Sequence, residues 1–293
     1  MNRISQSSGG YSPRILVTGG SGFIGRHVCA ALADMGLASI VHARCDLTDS
    51  ASISRLCERE RPTHILHLAW LTRGDYAQNS DNVRWLDAGI CCINEFYRNG
   101  GLRFVGVGTC LEYSDVQEKR DERTTPTLPD TLYGKCKLAL CRYLAAIADA
   151  QGKSWAWCRP FYVTGPGEEH ERLLPAAIRT LLGGDDFRTN ACGRVIDYMD
   201  VRDVAAALVH VLLSDFCGIV NIASGEGQRV TDLLGFVAST IGRGNIVAAP
   251  GGVSHCSILA HTELLCGTGF KTRYPLYTTV RDMITEFDIH ESH

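Results

Sequence analysis

The chain has 293 residues, 45% hydrophobic and 21% charged, with a formal net charge of −3 at pH 7. That is the balance of an ordinary globular protein with room for one large domain, or for a large domain with a smaller lobe. The lack of excess basic charge argues against nucleic acid as a partner, and the longest apolar run, residues 204–213 (VAAALVHVLL), is too short for a bilayer and reads as a buried helix, so no membrane partner is expected.

In chain order, residues 1–13 are polar and rich in glycine and serine, with no apolar core of a signal peptide; they read as a frayed tail. Residues 15–17 (ILV) form a short run suited to a buried strand. It leads into Gly19, Gly22 and Gly25 at spacing G-x-x-G-x-x-G, after which Ile24, Val28, Ala31 and Leu32 recur at helical spacing and Gly36 supplies a stop, giving a helix over 25–35. Strand, glycine turn and helix in that order let backbone amides and a helix N-terminus approach a pyrophosphate, so a dinucleotide is expected here.

The stretch ASIVHA reads as a second strand and is followed by DLTDSASISRLCERE, a helix capped by Asp49 or Ser50. Residues 64–69 (HILHLA) are a third strand before a long helix near 79–99. Residues 103–108 (RFVGVG) are a fourth strand before a loop and a helix over 132–150, and SWAWCRPFYV reads as a sixth strand. This alternation implies a doubly wound α/β (Rossmann) fold, a parallel sheet with helices on both faces. Beyond Pro160 the pattern is broken by glycine turns and suggests a smaller C-terminal substrate lobe. The expected division is a dinucleotide-binding domain over 14–160 plus about 200–222, and a lobe over about 161–199 plus 223–293. Thirteen cysteines include no C-x-x-C pair, so reduced thiols in a cytoplasmic protein are expected and no metal site.

The stretch DTLYGKCKLAL carries the chemistry. Tyr133 and Lys137 stand four apart on a helical segment and share a face. A phenol near pKa 10 is a poor base at neutral pH unless a cation supports its phenolate, and a lysine one turn away supplies one; its ammonium also suits ribose hydroxyls. Upstream, VGVGTCLEYS delivers Thr109 to the carboxyl edge of the sheet, where a hydroxyl meets a substrate oxygen that gains charge as hydride moves.

Taken together, the glycine turn, CDLTD, HLAW, Thr109, Y-x-x-x-K, RPFYVTGPG and VNIASGE resemble, in order and spacing, the extended short-chain dehydrogenase/reductases, in the branch of the NAD-dependent epimerase/dehydratase family that acts on nucleotide sugars. The resemblance runs from Arg14 to about Met283. It implies that Gly19, Gly22 and Gly25, with Phe23 and Ile24, bind the cofactor pyrophosphate; that Asp46 faces the adenine amino group with Leu47 beside the ring; and that Leu68 and Ala69 lie near the ribose. Asn82 matches a polar position at the start of the family's fourth helix. Thr109, Tyr133 and Lys137 are the implied catalytic trio, and Tyr133 and Lys137 also touch the cofactor.

The departures are informative. Sugar-nucleotide 4,6-dehydratases carry an Asp-Glu pair directly after the catalytic threonine; here Cys110 and Leu111 stand there, so dehydration is disfavoured, and Glu112, one position late, is expected to face elsewhere. Reductases that also epimerise use a cysteine at the position of Leu111 and a loop histidine, which makes Cys110 and His170 candidates on the substrate side. The short IVHARCD stretch offers His42 and Arg44 instead of an acid for the ribose 2′-hydroxyl; an arginine suits a 2′-phosphate, which favours NADP(H) over NAD(H). Tyr162 replaces the family's asparagine, and Thr164 a later tyrosine. Ile196 replaces the arginine that grips a substrate diphosphate, and Arg194, two residues earlier, is expected on the same strand face as a substitute.

The expected function is an NAD(P)-dependent nucleotide-sugar oxidoreductase, foremost a 4-ketoreductase of an NDP-4-keto-6-deoxy sugar. The alternatives are a nucleotide-sugar 4-epimerase with bound NAD and a non-catalytic cofactor sensor, against which the intact trio argues. Apolar residues on more than one face of the 79–99 and 132–150 helices (Ile90, Ile93 and Phe96; Leu138, Leu140 and Leu144) suggest a homodimer.

Overall fold

Short apolar strands alternate with amphipathic helices in the computed structural model, which describes residues 13–37, 39–41, 45–116, 119–249 and 256–291. The frayed tail read over 1–13 falls almost wholly outside them. The first half comprises β1 (Ile15–Thr18), α1 (Phe23–Asp34), β2 (Ser39–Val41), α2 (Ser50–Glu60), β3 (His64–His67), α3 (Asp81–Arg98), β4 (Arg103–Val107), α4 (Leu132–Ala150) and β5 (Ser154–Pro160). Then come β6 (Tyr162–Thr164), α5 (Leu173–Leu182), β7 (Phe187–Thr189), β8 (Val195–Asp200), α6 (Val201–Leu213), β9 (Gly218–Ile222), β10 (Gly227–Arg229) and α7 (Val230–Ile241). The chain closes with β11 (Ile246–Ala248), β12 (Ser257–Ile258), α8 (Glu263–Gly267) and α9 (Leu276–Glu291).

Six strands pair in parallel in the order β2-β1-β3-β4-β5-β9. Strand periodicity sorts their side chains to two faces. Val17, Leu66, Val105, Ala156 and Val220 meet Val28 and Leu32 of α1 and Val204 and Leu208 of α6. Leu16, Ile65, Phe104 and Trp157 meet Ile53 of α2, Ile93 and Phe96 of α3, and Leu140 and Leu144 of α4. Burial on both faces is why these strands read as unbroken apolar runs. The sheet is thus doubly wound, as expected. Ile93, Phe96, Leu140 and Leu144 lie in this intramolecular core, so four of the residues read as a dimer face are packed within the chain.

A second sheet, ordered β10-β8-β12 with β6 also on β8, packs Ile196 and Tyr198 against α5, α7 and α9. The SWAWCRPFYV stretch is therefore two strands, not one: β5, fifth in the chain, ends at Pro160, and β6 pairs in the other sheet. Phe161 is the joint, its N–H donating to the Ile222 carbonyl at 3.0 Å. Helix α1 begins at Phe23, earlier than expected, because Gly22 takes an extended N-cap conformation; β3 stops at His67, where Leu68 N–H turns to the Thr18 carbonyl.

Candidate active site

In the sheet order β2 lies outside β1 while β3 lies on its other side, so the winding reverses between β1 and β3 and a crevice opens at their carboxyl ends. Gly19 leaves β1 at φ +71°, and a Cβ there would stand 2.8 Å from the Ala69 nitrogen, so the glycine turn lies directly against the exit of β3. A Cβ on Gly25 would overlap the Gly19 carbonyl oxygen. Gly22 N–H donates to Gly19 O at 3.0 Å and Arg26 N–H to Gly22 O at 3.1 Å. Among the described residues no side chain caps α1, so the first-turn amides at Phe23, Ile24 and Gly25 keep the positive end of the helix open to an anion. This side-chain-free cradle fits a dinucleotide pyrophosphate.

Leu68 is half-buried and Ala69 buried beside the turn. Asp46 is exposed; its Oδ1 accepts from Thr48 N–H and Oγ1 at 2.9 and 2.7 Å, which holds the carboxyl below its usual range. Leu47 packs at the margin of the α2–α4 core. Arg44 and His42, on which the NADP(H) preference was read, lie outside the described residues.

Thr109 follows β4 and caps a single 3-10 turn, Cys110–Glu112. Its hydroxyl accepts from Leu111 N–H at 3.3 Å while Glu112 Oε1 accepts from Thr109 N–H at 3.0 Å, a reciprocal capping box that fixes the side chain. Across from it α4 is started by Thr131, whose Oγ1 accepts from Gly134 N–H at 3.0 Å, and Tyr133 N–H is anchored to Ala77 O at 3.0 Å. Thr109, Tyr133 and Lys137 are all buried, and the structure brings them together. The Thr109 hydroxyl is near enough to the Tyr133 phenol to draw its pKa down. Lys137 Nζ donates to Val107 O at 2.7 Å and stands 5.9 Å from the Tyr133 ring centroid.

Burial dominates the protonation of both groups. It pushes the Tyr133 phenol well up, with Tyr76 adding to it and Thr109 opposing. It also pulls the Lys137 ammonium down to about 7, against the pull of Glu112. The sequence expectation that the lysine cation would lower the phenol is therefore outweighed by desolvation among the groups that surround it.

Several contacts around the trio were not legible in the sequence. Glu112 turns inward: it is fully buried beneath Thr109, accepts from Trp157 Nε1 at 2.9 Å, and is ion-paired with Arg159 at 2.8 Å. Trp70 sits against Lys137, and Asn82, in the first turn of α3, holds the indole N–H at 2.8 Å. Tyr76 places its ring edge-on to Tyr133, centroids 5.0 Å apart. His67, ending β3, binds Thr18 Oγ1 through Nδ1 at 2.8 Å and is drawn down to about 3 by burial, hence neutral. The signal for Trp70 and Asn82 was a buried-type aromatic in HLAW and an amide at a helix start; neither has a spacing rule.

The substrate-side candidates divide. Cys110 is buried next to the trio with its thiol pushed up to about 12, so it is neutral and not a thiolate. Tyr162 and Arg194 meet: Arg194 Nη2 donates to the Tyr162 hydroxyl at 2.8 Å and Nε to Cys256 Sγ at 3.2 Å. Arg194 is not on the strand, as its spacing implied, because β8 begins at Val195 and Arg194 closes the preceding 3-10 turn. His170 is exposed and rests against Phe287 of α9, ring centroids 5.2 Å apart. The loop bearing it instead presents Glu168, bound by Thr164 Oγ1 at 2.6 Å and raised by burial to about 7, and Arg172, 5.4 Å above the Tyr76 ring.

With this geometry in place, the comparisons with known proteins define the class. The model of the NAD dependent epimerase/dehydratase family matches residues 15–223, and the chain belongs to that family. It is an NAD(P)-dependent enzyme of the epimerase and reductase type, with a nicotinamide cofactor. Among its relatives, a UDP-glucose 4-epimerase of Rhizobium leguminosarum bv. trifolii is 26% identical, over 91% of this chain and 95% of its own. A GDP-6-deoxy-D-mannose reductase of Pseudomonas aeruginosa is 27% identical, over 77% of this chain and 79% of its own. The crystal structure of the Thermus thermophilus UDP-glucose 4-epimerase complexed with NAD superimposes with a TM-score of 0.82 at 24% identity, covering 94% of this chain and 99% of that one. No helix among the described residues is long and apolar enough to cross a membrane, and no group of three or more His, Cys, Asp or Glu among them is placed to hold a metal.

Proposed function

We propose that the protein interconverts alcohol and ketone at C4 of a nucleotide-linked sugar and acts as a 4-epimerase. The observation that carries this is the buried Thr109–Tyr133–Lys137 group at one strand end, next to Cys110 and Leu111 where a dehydratase needs two acids. Such a site serves one carbonyl carbon and has no pair with which to eliminate water. When bound, the nicotinamide supplies the hydride exchange. Tyr133 exchanges one proton with the C4 oxygen: as phenolate it takes the hydroxyl proton when the alcohol is oxidised, and as phenol it gives that proton back when the ketone is reduced. Thr109 donates a hydrogen bond to that oxygen as its charge grows. Lys137 offers its ammonium protons to ribose hydroxyls and its charge to the phenol. The glycine turn, with Phe23 and Ile24, holds the pyrophosphate. Asp46, Leu47, Leu68 and Ala69 line the adenosine and ribose side; Tyr162 and Arg194 face the sugar nucleotide, and Arg194 stands in for the missing diphosphate arginine.

The second reading is the 4-ketoreductase, with NADP(H) preferred. Arg44 in the short IVHARCD stretch and the resemblance to the Pseudomonas reductase favour it. An assay separates the two. Purified protein incubated with UDP-glucose and catalytic NAD is expected to form the C4 epimer with no net change in nicotinamide absorbance. Stoichiometric consumption of NADPH with an NDP-4-keto-6-deoxy sugar, and no epimer, would reverse the ranking. The proposal includes a cofactor-binding domain over 14–160 plus about 200–222, a substrate lobe from the rest, a cytoplasmic location and a homodimer. Exposed Val83 on α3 is an apolar group still available to that interface, and light scattering at micromolar concentration tests it.

A further inference from the structure

Trp70 stands directly after Ala69, where the exit of β3 meets the glycine turn. Its ring centroid lies 4.1 Å from Lys137 Nζ, inside the range of about 6 Å in which an ammonium is attracted by an aromatic face. Its ring and that of Tyr133 are T-shaped, centroids 6.4 Å apart and planes at 73°. The indole N–H donates to Asn82 Oδ1 at 2.8 Å. Asn82 is fully buried and gives its Nδ2 protons to Tyr76 O and Asn79 O at 2.6 and 2.8 Å, so its amide has one orientation and its oxygen can serve only a donor. The order of control is therefore Asn82, then Trp70, then Lys137.

We infer that Trp70, oriented by Asn82, is a positioning residue that holds the Lys137 ammonium by its π face. A carboxylate in that place would take the lysine protons; an aromatic face attracts the charge and leaves the protons that Val107 does not use free to donate. The inference rests on the proposed reading of Lys137 as a group of the active site. The titratable groups facing Lys137 are Tyr133 on its own helix, Glu112 from the turn after β4, and neutral His67 from β3.

The test compares Trp70→Leu, Trp70→Phe and Lys137→Met by the pH profile of kcat and by dinucleotide titration. Activity that needs the ammonium falls as pH rises through the lysine pKa. Trp70→Leu, which removes the π face, is expected to move that basic limb to lower pH by about half to one and a half units and to weaken dinucleotide binding about threefold to tenfold. Trp70→Phe keeps an aromatic face and is expected to restore most of the limb. If Trp70→Leu does not fold, Trp70→Met takes its place. A wild-type limb in the aliphatic variant, or equal shifts in the aliphatic and Phe variants, overturns the inference. An unaltered profile in Lys137→Met would instead overturn the reading of the site itself.

Discussion

The carboxyl edge of the six-stranded sheet and the smaller sheet beside it differ in how their proposed functional positions are fixed. On the large sheet, Gly19, Gly22, Gly25, Thr109, Tyr133 and Lys137 occupy places set by local rules: a positive φ, a strand end, one turn of helix. On the smaller sheet, Arg194 depends on where β8 begins and on Tyr162 and Cys256, the latter 62 residues away, and His170 is claimed by Phe287. Chemistry built on local geometry is legible in a sequence; recognition built on distant neighbours is not.

The largest expected effect lies on the first side of that contrast. Tyr133→Phe keeps the ring and removes the proton, so kcat should fall by about 10²–10⁴, while titrated dinucleotide affinity stays near wild type. A turnover within threefold of wild type would break the comparison at its strongest point. Next, Glu112→Gln leaves Arg159 buried without its counter-charge, and Arg159 Nη1 already has no hydrogen-bond partner among the described residues. A loss of about 3–5 kcal/mol in denaturant unfolding is expected; a change under about 1 kcal/mol would mean that the pair contributes little to holding the strand end.

On the other side, Arg194→Ala should raise the substrate KM about tenfold with kcat little changed, the mark of uniform binding. A fall in kcat at constant KM would move Arg194 into the chemistry. The smallest effect belongs to Glu168. Its carboxyl is raised from 4.5 to about 7, so between those values the folded chain holds more protons than the unfolded one. Its contribution to stability is present below about 4.5 and is lost as pH rises through 7. Glu168→Gln should therefore lessen the fall in Tm between pH 5 and pH 7.5; an unchanged slope would show that this carboxyl is better solvated than its loop suggests.

The alternation of strands and helices, the glycine cradle and the Y-x-x-x-K face were legible because each rests on spacing. The partners of Glu112 were not legible because the chain turns into a 3-10 segment that swings the side chain inward to Trp157 and Arg159. The bond between Trp70 and Asn82 was missed because an indole and an amide that meet across 12 residues leave no periodic mark. The break at Phe161 was hidden because both strands it joins are apolar and the turn costs one residue.

That single-residue joint also marks where the chain resists being cut. β5 passes to β6 with only Phe161 between them, 6% exposed and hydrogen-bonded to Ile222, so the sheet boundary offers no slack for an inserted module or a split into complementing fragments. The exposed stretch ahead of α4, with Arg123, Thr124, Pro126 and Leu128 open to solvent, is where a graft or a break would be borne. The seam along which this protein can be taken apart therefore runs through a loop of the larger sheet and not between the two sheets.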